Sequence, residues 1–297
     1  MKYRLTIAAL GLGLAAAVTG AVAGGSHPVV VELFTSQGCS SCPPADALLA
    51  KLVNHSRQNG VIAMSLPITY WDMLGWKDTL ASDGNTLRQK AYAAAMGHGG
   101  VYTPQIIVDG VKDVVGSRED KVEAAIEAAL EARDGADEML DSAHYELMDV
   151  DSTNRAGAAK ALVLRRERAA ALLARTTWTV DVGLSQTQKN LRVAVAAAPR
   201  MVRDSKLDAT IWMFNLRSSA TVHIEAGENS GRMATYRNVV IGPIKEIGKW
   251  HGENVALDVT QQSDPPHDGV VILVQQGGYG RVLGAAYLGH VDYYASQ

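Results

Sequence analysis

The chain contains two cysteines, Cys39 and Cys42, three residues apart in the stretch SQGCSSCPPAD. Sulfur pairs at this spacing can exchange electrons as a dithiol and disulfide, hold a soft metal ion as two thiolates, or lock a loop. Locking is a poor use, because a disulfide stabilises mainly by removing denatured-state entropy, and that gain grows with the length of the loop closed. A bridge from Cys39 to Cys42 closes almost nothing. Electron exchange has a physical logic. PPADALLAKLVNHSRQNG follows the motif and spaces Ala45, Leu48, Leu49, Leu52 and Val53 as a helix would. Its prolines fall in the first turn, where N–H groups lack helical partners. A cysteine at the mouth of that helix feels the positive end of the macrodipole, which favours thiolate over thiol. Cys39 is then the attacking thiolate and Cys42, one turn deeper, the thiol that resolves a mixed disulfide. Metal binding stays open. Two thiolates suit Cu(I), and His98, Met64 and Met96 could add to them. A closed zinc site needs four ligands, and the chain has no second CxxC and no H-x3-5-H pair.

The elements that must position this pair can be read from periodicity. HPVVVELFT (27–35) is a β-branched apolar run that predicts a buried strand before the motif, and VIAMSL after Gly60 predicts a second. TYWDMLGWKD is aromatic and loop-like; it either walls the cysteines or packs an insert onto the sheet. PQIIVDG and VKDVV predict a hairpin turning at Asp109-Gly110. SREDKVEAAIEAALEARD predicts an amphipathic helix, with Ser117 as its cap.

The chain as a whole has 297 residues and a net charge of −3. Lys2 and Arg4, then LTIAALGLGLAAAV, then AVAGG have the three parts of a signal peptide cleaved after Ala23. Its loss leaves a charge of about −5. No Lys/Arg-rich block suggests nucleic acid. Export to the periplasm or beyond places the cysteines in an oxidising compartment. Four segments are expected: 1–23 signal peptide, 27–135 an α/β domain with a helical insert, 136–175 a spacer or helix, and 176–297 a β-rich domain. From Thr176 onward eight short strand-like runs alternate with turn residues, which predicts an antiparallel, sandwich-like arrangement. Within it AGENSGR (226–232) is either a plain turn or a loop that leans over the cysteines and helps choose a partner.

VELFTSQGCSSCPPAD followed by VYTPQIIVDG resembles the thioredoxin-like superfamily. YWDMLGWKD and GENSGR narrow the resemblance to an exported bacterial family, domain of unknown function 1223. The resemblance implies a thioredoxin-like first domain. It implies that Thr103-Pro104 is a cis peptide facing the cysteines, with Thr103 offering its backbone to an extended substrate. It also implies that Glu32, on the strand before the motif, is the buried acid that helps deprotonate Cys42. The sequence departs from thioredoxin in three places: Gly38 stands where thioredoxin has tryptophan, Pro43 stands where the superfamily often has a cation after the second cysteine, and the intervening dipeptide is Ser40-Ser41, so the direction of exchange is open.

The expected function is an exported thiol–disulfide oxidoreductase. It would act through Cys39, Cys42, Pro104, Thr103 and Glu32, with no cofactor beyond its own disulfide. Its partners would be protein thiols or disulfides, or a redox partner protein. A Cu(I) carrier and a partner-binding module with an idle CxxC are the alternatives.

Overall fold

The computed structural model describes residues 27–56, 60–148, 178–187, 190–199, 202, 206–260 and 265–289. The leader expected over 1–23 and most of the expected spacer lie outside them. Strand β1 (Val29–Thr35) runs into the CxxC turn, helix α1 (Pro43–Asn54) and strand β2 (Val61–Pro67). A short 3-10 turn (Asp72–Leu74) and helix α2 (Asp83–Ala95) form the insert. Strands β3 (Gln105–Val108) and β4 (Lys112–Val115) and helix α3 (Glu119–Met148) follow. The hairpin turns where expected, with Asp109 and Gly110 both at positive φ, 51° and 73°, the backbone a tight two-residue turn requires. Helix α3 outruns the expected helix by about four turns at 3.6 residues each.

The second half supplies β5 (Val182–Gln186), β6 (Asn190–Val195), β7 (Ala209–His223), β8 (Met233–Trp250), β9 (Val255–Thr260), β10 (Gly269–Gln276) and β11 (Val282–Gly289). Two of the expected runs fuse into β7, because pairing with β8 continues past Ser219. Asp268 satisfies the break in apolar pattern at Ser218 by accepting from its backbone N–H and its hydroxyl, both at 2.6 Å.

The architecture is mixed α/β. The large sheet has eight strands in the order β11-β10-β7-β8-β2-β1-β3-β4, and β5-β6-β9 form a separate three-stranded antiparallel sheet. The two halves are therefore joined through one sheet. Strands β1 and β2 are parallel, β3 is antiparallel to β1, and β8 bridges to β2 at Ser65–Val239. The Asn238 side-chain N–H donates to Ala63 O at 3.0 Å, reinforcing this seam.

Side chains alternate faces along a strand, and the cores follow. Val29, Val31 and Leu33 pack with Ala45, Leu48 and Leu49 of α1 and with Val122 and Ile126 of α3. Val30 and Phe34 face the other way, toward Tyr92 of α2 and Phe214, Leu216, Val271 and Leu273 of the second half. Leu191, Val193 and Val195 of the small sheet pack on Ile211, Met213, Ile272 and Val274. The large sheet curls until the two ends of its strand order meet: the Val282 N–H donates to Asp109 O at 3.0 Å.

Candidate functional site

Cys39 and Cys42 form a disulfide, with Cα atoms 5.4 Å apart. The turn that carries it is drawn tight by backbone bonds. The Cys39 N–H donates to Ser36 O at 3.1 Å and the Cys42 N–H to Cys39 O at 3.2 Å. Cys42 is the N-cap of α1, so Cys39 sits a full turn ahead of the helix. The N–H groups of Ala45 and Asp46 both go to Cys42 O, and Pro43 and Pro44 have none. The helix therefore offers Cys39 its dipole but no free first-turn N–H. The polar side chain on the sulfur is Ser41, whose Oγ lies 3.5 Å from Cys39 Sγ. Ser40 and Ser41 are exposed, yet both cysteines are completely buried.

Two carboxyls that the sequence reading did not single out stand behind this turn. Asp46, one helical turn beyond Cys42, accepts from Thr35 Oγ1 at 2.8 Å. Its side chain keeps some contact with solvent but is hemmed in by protein, and burial pushes its pKa up to about 7, with Asp78 adding repulsion. Asp78 is buried and accepts from the backbone N–H groups of Gln37 and Leu80, each at 2.8 Å. Burial still raises it to about 6. The Tyr236 phenol from β8 feels burial first and then both carboxylates, and stays protonated well above its ordinary range. The sequence signal for Asp46 was its i+4 spacing from Cys42, which puts both on one helix face. Nothing local marks Asp78 or Tyr236.

The insert wraps the turn. The Trp71 indole N–H donates to Thr103 Oγ1 at 2.8 Å. A methyl group added to Gly38 would meet Trp71 Cβ at 3.5 Å. Trp71 thus touches the residue before Cys39 and the residue before Pro104. The Trp76 indole donates to Gln37 Oε1 at 2.8 Å. The Thr103-Pro104 peptide is cis. Pro104 is buried on the α1 side of the sheet: a methyl on Gly116 would lie 3.1 Å from Ala45 Cβ, 3.2 Å from Leu33 Cδ1 and 3.3 Å from Pro104 Cβ. Gln89 of α2 fixes the approach to Pro104, donating to Tyr102 O at 2.7 Å and Gln105 Oε1 at 2.8 Å. The two tryptophans therefore anchor the insert to residues that flank the cysteines.

The loop between β7 and β8 closes over the turn from the second half. The Asn229 carboxamide donates to Gln37 O and Cys39 O, both at 2.9 Å. The exposed Glu228 carboxylate accepts from the Ser40 N–H at 3.1 Å, and its pKa is lowered by its hydrogen bonds with Ser40. Gly227, at φ 78°, packs so that a methyl there would stand 3.1 Å from Trp76 Cβ. AGENSGR is thus a hydrogen-bonded turn between β7 and β8 that also leans on the CxxC turn.

The structure links Thr103 to the turn before Cys39 through Trp71, and sets Pro104 and Ala45 of α1 around Gly116; Glu32 lies elsewhere. Glu32 shares strand parity with Val30 and Phe34, so it points away from α1. It is fully buried in a network of its own. Arg88 donates to Oε2 at 2.5 Å and Oε1 at 2.9 Å, and the Tyr92 hydroxyl donates to Oε1 at 2.5 Å. Arg88 also donates to Gln275 Oε1 at 3.0 Å, and its guanidinium lies 4.8–5.8 Å from the ring centroids of Tyr92, Trp212, Phe214 and Tyr279. Burial works against the charge on Arg88, but Glu32 outweighs it and holds the guanidinium protonated.

The side chains considered as additional metal ligands are likewise apart from the sulfurs. His98 pairs with Asp113 at 3.1 Å, and Met64 and Met96 lie in the core on the Glu32 side. Among the described residues no three His, Cys, Asp or Glu side chains gather as a metal-holding group.

A search of the curated proteins finds no match. Among solved structures, protein AGR_C_4864 of Agrobacterium tumefaciens is 25% identical with a TM-score of 0.62, and the match covers 89% of this chain and 96% of that one. HBP35 of Porphyromonas gingivalis is 11% identical with a TM-score of 0.47, covering 89% of this chain and 75% of that one. A family described as a protein of unknown function (DUF1223) matches residues 30–169 and 149–275. With matches running through both halves of the fold and the turn that carries the disulfide, the chain belongs to the DUF1223 family.

Proposed function

We propose that this protein is an exported thiol–disulfide oxidoreductase whose β1–α1–β2–β3–β4 segment is thioredoxin-like. The observation that carries this reading is a disulfide that closes only three residues of chain, too short a loop for a staple to gain much, in a turn that Trp71 ties to Thr103. In the reduced protein the Cys39 thiolate attacks one sulfur of a client disulfide and expels the other as a thiolate. The Cys42 thiol gives up its proton and attacks Cys39 Sγ. The Cys39–Cys42 bond forms, the second client sulfur leaves, and two electrons have passed to the client. Run backwards, the same steps oxidise a client dithiol. Thr103 and Pro104 shape the client cleft, and the partners are protein thiols or disulfides of the cell envelope.

The test pairs Cys39→Ser with Cys42→Ser in the leader-free protein. Cys39→Ser abolishes exchange, and Cys42→Ser accumulates a covalent mixed disulfide with client, read by mass. Full exchange in both variants overturns the reading. Glutathione equilibration then gives the direction: a potential near about −120 to −180 mV marks an oxidant or isomerase, and one near about −270 mV a reductant.

The burial of Cys39 favours a second reading, a partner-binding module whose CxxC is idle. In that case the disulfide does not equilibrate with glutathione in the folded protein, and both serine variants keep their partner.

A further inference from the structure

The loop Ile224–Arg232 is built as a unit. The Gly231 N–H donates to Ile224 O at 2.7 Å and the Ile224 N–H to Arg232 O at 2.9 Å, closing its neck. Inside, the Ser230 N–H reaches Gly227 O at 3.2 Å and the Ser230 hydroxyl reaches Glu225 O at 2.9 Å. The loop is thus held together by its own bonds. Its attachment to the CxxC turn rests on polar contacts of two residues: Glu228 with Ser40, and Asn229 with Gln37 O and Cys39 O. These are backbone groups of the turn that carries the disulfide. The attachment is also imperfect. Asn229 is 2% exposed, and its Oδ1 meets no donor among the described residues.

We infer that this loop is a built-in competitor for the client: it occupies the backbone groups of the turn and must leave before the disulfide reacts. The partner it fits is an extended polypeptide segment. Such a segment carries its own C=O for the Ser40 N–H and N–H groups for the two carbonyls, so it replaces the loop contact for contact. Met73 and Leu74, 82% and 56% exposed, lie in the insert segment that packs against Gly227 and are ready to take apolar client side chains. The Glu228 carboxylate beside Ser40 also repels a developing Cys39 thiolate, so closure holds back reaction by charge as well as by cover. The client role rests on the oxidoreductase reading; the closure itself does not.

The experiment is reduction of the Cys39–Cys42 bond by a phosphine in the full mature chain, with thiols counted by alkylation and mass. In the unaltered protein the rate levels off at high phosphine, because loop opening limits it. In Glu228→Ala/Asn229→Ala the rate rises about tenfold or more and stays linear in phosphine, as loss of about 1.4 kcal/mol of docking requires. Asn229→Asp, which turns the donor into an acceptor facing two carbonyls, gives the same result with less change of shape. Rates equal to the unaltered protein in both variants, linear throughout, overturn the inference. Hydrogen exchange guards against misfolded variants, since in the unaltered protein the Ser40 amide exchanges at the plateau rate. A freely exchanging Ser40 amide beside a slowly reduced disulfide also overturns it. Fast reduction in the variants without client exchange leaves the loop's role standing and removes the oxidoreductase. Client exchange at unchanged reduction rates does the reverse.

Discussion

Asp46 is a carboxyl whose pKa burial raises to about 7 behind a disulfide, and its titration is expected to show in stability. Its folded pKa of about 7 lies above the ordinary value of 3.8, so the folded chain holds this proton more tightly than the unfolded chain. The associated stability is complete below about pH 4 and is lost as pH rises toward 7. Asp78, at about 6, acts in the same direction. Asparagine at 46 still accepts from Thr35 but does not ionise. Asp46→Asn therefore gains on the unaltered protein between pH 5 and pH 8, by on the order of 1–3 kcal/mol after allowance for the solvent at its edge. Urea unfolding at the two pH values checks this. An equal offset at both means that Asp46 is already ionised at pH 5.

At the scale of elements, α2 is fixed less by its helical pattern than by Arg88, which reaches Glu32 on β1 and Gln275 on β10. Removing one member of a buried pair leaves the other charge uncompensated, at a cost of about 3–5 kcal/mol. Arg88→Met is expected to lose that much by chemical denaturation, and Glu32→Gln added to it to recover part. A double variant no better than the single would mean that the aromatic cage, not the ion pair, holds the arginine. This network also explains what was legible in the sequence. Strand β1, helix α1 and the Asp109–Gly110 hairpin were readable because their signals are local. The depth of Glu32 was readable too, but not its direction: that depends on which face of β1 the helix α1 covers, and only packing decides it. The fusion of two runs into β7 was hidden because Arg217-Ser218-Ser219 reads as a turn until Asp268, fifty residues away, is known to satisfy it.

At the scale of the molecule, the division expected near 136–175 separates two stretches that share a sheet and a core. Strand β2 borders β8, and the cluster around Phe34 and Tyr92 is completed by Phe214, Val271 and Leu273. The chain is expected to unfold in one thermal transition, seen alike by far-UV and aromatic signals. A fragment ending at residue 148 is expected not to form a stable fold on its own, since it leaves β2 as an open edge and half of that cluster in water. Two resolved transitions, or a fragment with dispersed amide resonances, would show that the halves are independent.

The contacts between Asn229 and the turn span 190 and 192 residues of sequence, and that separation sets an order in time. A chain is synthesised from its N-terminus at about 5–20 residues per second, so the cysteines exist for about 10–40 s before the residues that cover them. During that interval the turn has none of its contacts with the second half. The Ser40 N–H and the carbonyls of Gln37 and Cys39 therefore gain their partners from the second half only after nearly all of the chain between them has been made.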